Sequence, residues 1–288
     1  MARVRISSGK RGAGLAALLA ALLSEGCAPA APAARAEGDP PTIVSLNPCL
    51  DAILVEVAAG PEQVLALSHY SRDPGSSSIP AAVAARYRVT GGTAEEVIAL
   101  RPDLVLASSF LPQPTRRALE RAGLRVETFG SPTTIAESIG QVRDVADLAE
   151  RESAGAALAA RLARPPAAAG PPVSALLWQP GEIVAGEATL IAELLREAGF
   201  TSHAAARGLG QADAVTLEQV LADPPQVLLV AGDSIGQRHP LLAEGVPALR
   251  IAAFDPSLIY CGGPTIPKAR ARLRAIRAAV AAGSGAQP

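Results

Sequence analysis

Residues 90–108 read TGGTAEEVIALRPDLVLAS. A Gly-rich lead-in opens a short helix with Glu95 and Glu96 in its first turn, Pro102 breaks it, and LVLAS follows as a buried apolar strand. The same order returns at 215–232, VTLEQVLADPPQVLLVAG, with Glu218 early in the helix and two prolines ahead of the strand. A helix that runs into a near-continuous apolar strand is the repeating unit of a parallel sheet, whose strands are covered on both faces. One such phrase in each half of the chain predicts an α/β fold of two Rossmann-like lobes.

Outward from the first phrase, TIVSLN (42–47) predicts a strand, 50–59 a helix and VLALS (64–68) a second strand. The polar excursion RDPGSSSIP (72–80) then interrupts, and helix 113–122 with strand RVETFG (125–130) completes a lobe over 41–132. Between 133 and 164, Ile135, Ile139, Val142, Val145, Ala146, Leu148 and Ala149 recur at helical spacing, which predicts a single long helix joining the lobes. PPAAAGPP (165–172) ends it. A second lobe over 165–288 follows: strand VSALLW, helices 188–198 and 216–222, strands QVLLVAG and ALRIAAF, and a helix from Thr265.

The chain has 288 residues, 49% of them hydrophobic, enough to bury a sizeable core. A formal net charge of -1 gives no electrostatic footprint for nucleic acid. Residues 1–40 read as an export signal and an Ala/Pro linker. Arg3, Arg5, Lys10 and Arg11 precede GAGLAALLAALL, which is too short to span a bilayer comfortably. The mature chain is therefore expected outside the cytoplasm. LLSEGC offers Cys27 for lipidation, and PAARA offers a cleavage site before Glu37.

Open α/β sheets bind ligands beyond the carboxyl ends of their strands. That rule selects Asn47 and Cys49, then Tyr70 and Arg72, Phe110, Trp178 and Gln179, and finally Tyr260 and Cys261. Trp178 is read either as a cleft wall or as packing, and His69 as a loop residue. Cys49 and Cys261 fall one to each lobe in an oxidising compartment. They read as a disulfide, if their Cα atoms come within about 7 Å, or as a thiol pair touching metal or cargo. The sequence has no HExxH, CxxC or phosphate loop, and its histidines are scattered at 69, 203 and 239. A hydrolase with Cys49 as nucleophile and a ligand sensor without a transporter stand as alternatives.

The paired phrases, the mouth SLNPCLDAIL (45–54), the mid-chain helix and WQPGEIVAGEATLIAELLREAGF (178–200) together resemble the periplasmic binding proteins of ABC importers that carry cobalamin, ferric siderophores or haem. The resemblance runs from about Thr42 to Val280. It implies two lobes on one rigid long helix, a cobalt or iron chelate held between them as cargo, no cofactor, no resident metal and no catalysis. It also implies a monomer that meets a membrane permease and its ATPase. In that family one surface glutamate on each lobe docks into arginine pockets of the permease. The matching positions are Glu95 and Glu218, although a carboxylate in a first helical turn is also stabilised by the helix dipole alone, and Glu96 competes for the role.

Overall fold

The strands form two separate parallel sheets. In the computed structural model, which describes residues 38–163 and 170–284, the first half of the chain runs β1 (Ile43–Ser45), α1 (Pro48–Val57), β2 (Val64–Ser68), α2 (Ala81–Ala84), β3 (Val89–Thr90), α3 (Ala94–Leu100), β4 (Leu104–Ser108), α4 (Gln113–Arg121) and β5 (Arg125–Phe129). Its sheet has the order β3-β2-β1-β4-β5. Helices α5 (Ile135–Leu148) and α6 (Glu152–Leu162) lead to the second half: β6 (Val173–Trp178), α7 (Leu190–Glu197), β7 (Phe200–Ser202), α8 (His203–Ala206), α9 (Leu217–Ala222), β8 (Val227–Val230), α10 (Leu241–Glu244), β9 (Arg250–Ala253) and α11 (Thr265–Ser284). Its sheet has the order β7-β6-β8-β9. The export segment, with Cys27, and most of the Pro/Ala run after α6 lie outside the described residues. Among the described residues, no helix is long and apolar enough to cross a membrane.

Alternation along each strand sends side chains to two different cores. Val44, Ala66 and Val105 meet Val97 and Leu119 in an outer layer under α3 and α4. Ile43, Leu67, Leu104 and Leu106 point the other way, onto α1 and α5. There they join a core that continues through Val173, Ala175, Leu177, Val227 and Leu229 of the second sheet and Ile266, Ala269, Leu273 and Ile276 of α11. One apolar core thus crosses from lobe to lobe. Relative motion is the default only where an interface is small and polar, so this packing opposes hinge opening.

The single long helix is not observed. It is broken at Ala149–Arg151, where Glu150 takes a left-handed φ of 55° and Arg151 N–H donates to the Ala146 carbonyl at 2.8 Å. No glycine or proline stands at the break, so the periodicity ran through it unchanged. Tertiary contacts supply the reason: the buried Gln63 side chain donates to the Ala149 carbonyl at 2.7 Å and accepts from the Arg151 guanidinium at 3.2 Å. Helix α6 then packs back on α5 at Gly155, where an added Cβ would lie 2.3 Å from that of Ala146. Gly155→Ala is therefore expected to lower stability by about 1–3 kcal/mol through overpacking, only partly offset by helix propensity of about 1 kcal/mol. Urea unfolding checks this, and an unchanged midpoint would mean that the two helices separate freely.

Further ties join α11 to its surroundings. Arg270, 5% exposed, makes a two-pronged ion pair with Glu197 of α7 at 2.8 and 2.9 Å and donates to the Leu162 carbonyl at 2.6 Å. Just ahead of α11, Gly263 N–H donates to Ser138 Oγ of α5 at 2.7 Å. Gly263 has a φ of +54°, and a Cβ there would strike Ile53 of α1 at 2.8 Å, so only glycine lets this segment lie against the first lobe.

Candidate functional site

Strand order reverses between β1 and β4 in one sheet and between β6 and β8 in the other, so the crevices of both sheets open at the carboxyl ends of these strands. The two edges meet. Cys49, in the first turn after β1, is joined by a disulfide to Cys261, beyond β9, with the Cα atoms 4.9 Å apart. The bond links positions 212 residues apart. It leaves Cys49 neither a free nucleophile nor a soft ligand for metal or cargo, which corrects those readings. Asn47 is likewise a structural residue here: its Oδ1 accepts from Cys49 N–H at 2.8 Å and Leu50 N–H at 3.3 Å, capping α1 ahead of Pro48. The Asn-Pro-Cys mouth thus starts a helix and anchors it to the other lobe.

Beyond β2 the chain makes a 3₁₀ turn, His69–Arg72. Asp51 of α1 holds it from below, accepting from Ser68 N–H at 2.8 Å and Ser71 Oγ at 2.6 Å. Burial pushes the Asp51 carboxyl up to about 8, against the opposing pull of the Ser45 and Ser71 hydroxyls and the Ser68 N–H. Tyr70 stands on the outside of the turn, 52% exposed, its ring 4.1 Å from that of His69. The Arg72 guanidinium donates to the Tyr87 carbonyl at 2.8 Å. Phe110, beyond β4, is 82% exposed.

In the second half, Tyr260 is 64% exposed while its hydroxyl donates to Gln179 Oε1. Burial around that hydroxyl raises its pKa. Gln179 itself is buried, so it orients Tyr260 rather than facing a ligand. Trp178 is not a cleft wall. Its ring lies in the outer core with Leu176, Val184 and Leu228, and its indole N–H donates to the Val215 carbonyl at 2.8 Å. A large ring at the last position of a buried strand pointed inward because β6 is covered on both faces. Ile235, 84% exposed in the loop after β8, completes the set and was not anticipated. Its signal was an isolated apolar residue in the polar run GDSIGQR beyond a switch-point strand. Tyr70, Phe110, Ile235 and Tyr260 thus present apolar surface beyond β2, β4, β8 and β9.

The two early helical glutamates occupy matching positions. Thr93 caps α3 by accepting from Glu96 N–H at 3.3 Å, and Thr216 caps α9 by accepting from Gln219 N–H at 3.3 Å. The third residue after each cap turns back: Glu96 accepts from Thr90 Oγ1 and Gly91 N–H, both at 2.7 Å, and Gln219 accepts from Thr216 N–H at 2.9 Å. Those bonds hold the Glu96 carboxyl below its usual range. Glu96 is therefore tied to its own loop, whereas Glu95 and Glu218 remain exposed. Hydrogen bonds from its own N–H and from Thr216 keep the Glu218 carboxyl low.

Two parallel α/β lobes, fixed to each other and with apolar groups exposed at their carboxyl edges, define a solute receptor. Residues 43–261 match the model of the periplasmic binding protein family, and the chain belongs to that family. No curated protein matches it in sequence. Among solved structures it is similar to the periplasmic heme-binding protein RhuT from Roseiflexus sp. RS-1 in apo form, at 22% identity over 84% of this chain and 98% of that one, with a TM-score of 0.63. The heme-binding protein BhuT, solved with two hemes, is 21% identical over 83% and 98%, with a TM-score of 0.65. The vitamin B12 binding protein BtuF of Vibrio cholerae is 19% identical over 84% and 98%, with a TM-score of 0.64. At these identities the likeness establishes the shared fold.

Proposed function

We propose that the protein, exported through its N-terminal segment, captures a flat metal chelate of the haem or corrinoid kind and delivers it to an ABC permease. One observation carries the reading. A chain with only four Phe, three Tyr and one Trp leaves Phe110, Tyr70 and Tyr260 exposed at the carboxyl edges of its two sheets. Such groups suit the face of a macrocycle, and exposed apolar patches of this kind mark binding sites. Haem and vitamin B12 binding by proteins of the same fold supports the cargo class. Capture is non-covalent, and the cargo leaves unchanged.

Titration of the mature protein with haem, cobalamin and ferric siderophores, read by absorbance and by Trp178 emission, tests the assignment. Saturable binding of one chelate is expected, and no binding across the panel would overturn it. The exposed pair Glu95 and Glu218 gives a second expectation, because charges at a rim act on recognition more than on affinity. Glu95→Ala with Glu218→Ala is expected to abolish cargo uptake by cells while leaving binding to the purified protein unchanged. Full uptake by the double variant would leave both residues with helix-dipole stabilisation alone. Uptake lost on deletion of the gene separates this role from sensing.

A further inference from the structure

A pocket of about 240 Å³ lies between the lobes, beside the turn that carries Tyr70. One wall is the excursion after the 3₁₀ turn, with Arg72, Ser77 and Ser78, and the other comes from Asp255, Ser257 and Lys268 beyond β9. Both cations are held on neutral acceptors: Arg72 on the Tyr87 carbonyl at 2.8 Å and Lys268 on the Ser78 carbonyl. Neither makes an ion pair among the described residues. Asp255 is the one carboxylate in the lining, and its Oδ1 accepts from Ser257 N–H at 2.9 Å. The Ser78 hydroxyl bonds across the lobes to Thr265 at 2.8 Å, so the walls are fixed relative to each other.

A carbonyl positions a cation without neutralising it. The remaining guanidinium N–H groups of Arg72 and the remaining ammonium protons of Lys268 are left to an acceptor from outside. Two cations against one carboxylate, with serine hydroxyls between them, form a receptor for an oxyanion. We propose that this pocket is an anion subsite for a carboxylate or phosphate group, contributed either by an acidic arm of the cargo or by a free small anion. In the first case the subsite rests on the capture function proposed above, because Arg72 stands two residues beyond Tyr70 in the same turn. In the second it does not. Arg72 and Lys268 then clamp one group from opposite lobes.

Two arms of one experiment distinguish the sources, both on the mature protein and on the double variant Arg72→Gln with Lys268→Gln, whose side chains are exposed in the parent. In one arm, inorganic phosphate and succinate are added against chloride at matched ionic strength, and the thermal midpoint is followed. A saturable rise in the parent that is lost in the variant supports a free-anion site. In the other, haem is compared with haem dimethyl ester by absorbance titration. Tighter binding of the free acid, on the order of tenfold and lost in the variant, supports an arm of the cargo. The proposal is overturned if phosphate and succinate act like chloride and acid and ester bind alike, or if any difference survives in the variant. If neither haem nor its ester binds, the haem assignment fails while the phosphate arm still decides the subsite.

Discussion

The urea midpoint of the wild-type protein is expected to fall between pH 5 and pH 8 relative to that of Asp51→Asn, and the gap between the two is expected to widen with every step. Asp51 is fully buried, and its Oδ1 has no hydrogen-bond partner. Burial disfavours the charged form, which raises the carboxyl from 3.8 to about 8 in the folded protein. Between those two values the native state keeps a proton that the unfolded chain has released. The stability tied to that proton is fully present below the unfolded value and is lost as pH rises through the folded one. Linkage gives about 1.4 kcal/mol for each pH step inside the window, and on the order of 5 kcal/mol over the whole of it.

The amide of Asp51→Asn imitates the protonated acid. It keeps an acceptor for Ser68 and Ser71 and does not ionise, so its contribution is expected to stay level. Carboxyls held low by hydrogen bonds, Asp73, Glu96, Glu137 and Glu218, lose their contribution only as pH falls through their depressed values. They therefore leave the window from 5 to 8 undisturbed. Every group other than Asp51 is common to both proteins and cancels in the comparison. Parallel curves would show that water or a neighbouring group solvates the carboxylate. Because Asp51 holds the turn bearing Tyr70 and Arg72, cargo affinity is expected to weaken in the wild type over the same range.

How much of this was legible depended on whether the deciding contact was local. The βα phrases at 90–108 and 215–232 were read correctly because a helix, a proline and a both-sided strand follow one another within each phrase. Threonine caps and early glutamates were legible for the same reason. The break at Glu150 was not, since it depends on Gln63, far away in the chain and written in no periodicity. Strand β7 escaped because Phe200–Ser202 is too short to show alternation. Trp178 and Tyr260 both stand near strand ends, yet one is buried and the other exposed. Strand position locates a site, but the covering helices decide which side chains reach it. Asn47 was placed at the mouth, but its capping of α1 was not foreseen, because a capping side chain and a ligand-facing one share the same sequence position.

Removing the Cys49–Cys261 bond separates two ways in which the lobes can be held. Cys49→Ala with Cys261→Ala is expected to lower stability by about 2–5 kcal/mol, because the bond closes a long stretch of chain and so restricts the unfolded state. Reduction of the wild-type protein is expected to lower the urea midpoint by a similar amount. Cargo affinity, in contrast, is expected to change by less than about tenfold, or roughly 1.4 kcal/mol. The folded lobes keep their common core, the Gly263–Ser138 hydrogen bond and the Arg270–Glu197 pair without the disulfide. Tyr260 also keeps its anchor on Gln179. Calorimetric titration of parent and double variant with the bound chelate measures the second quantity, and urea unfolding the first. Affinity that collapses while stability holds would reverse the argument, making the disulfide the clamp of the cleft and the shared core too weak to fix it. The core should prevail, because it is present in the folded state whether or not the sulfurs are joined, whereas the bond acts chiefly on the chain before it folds.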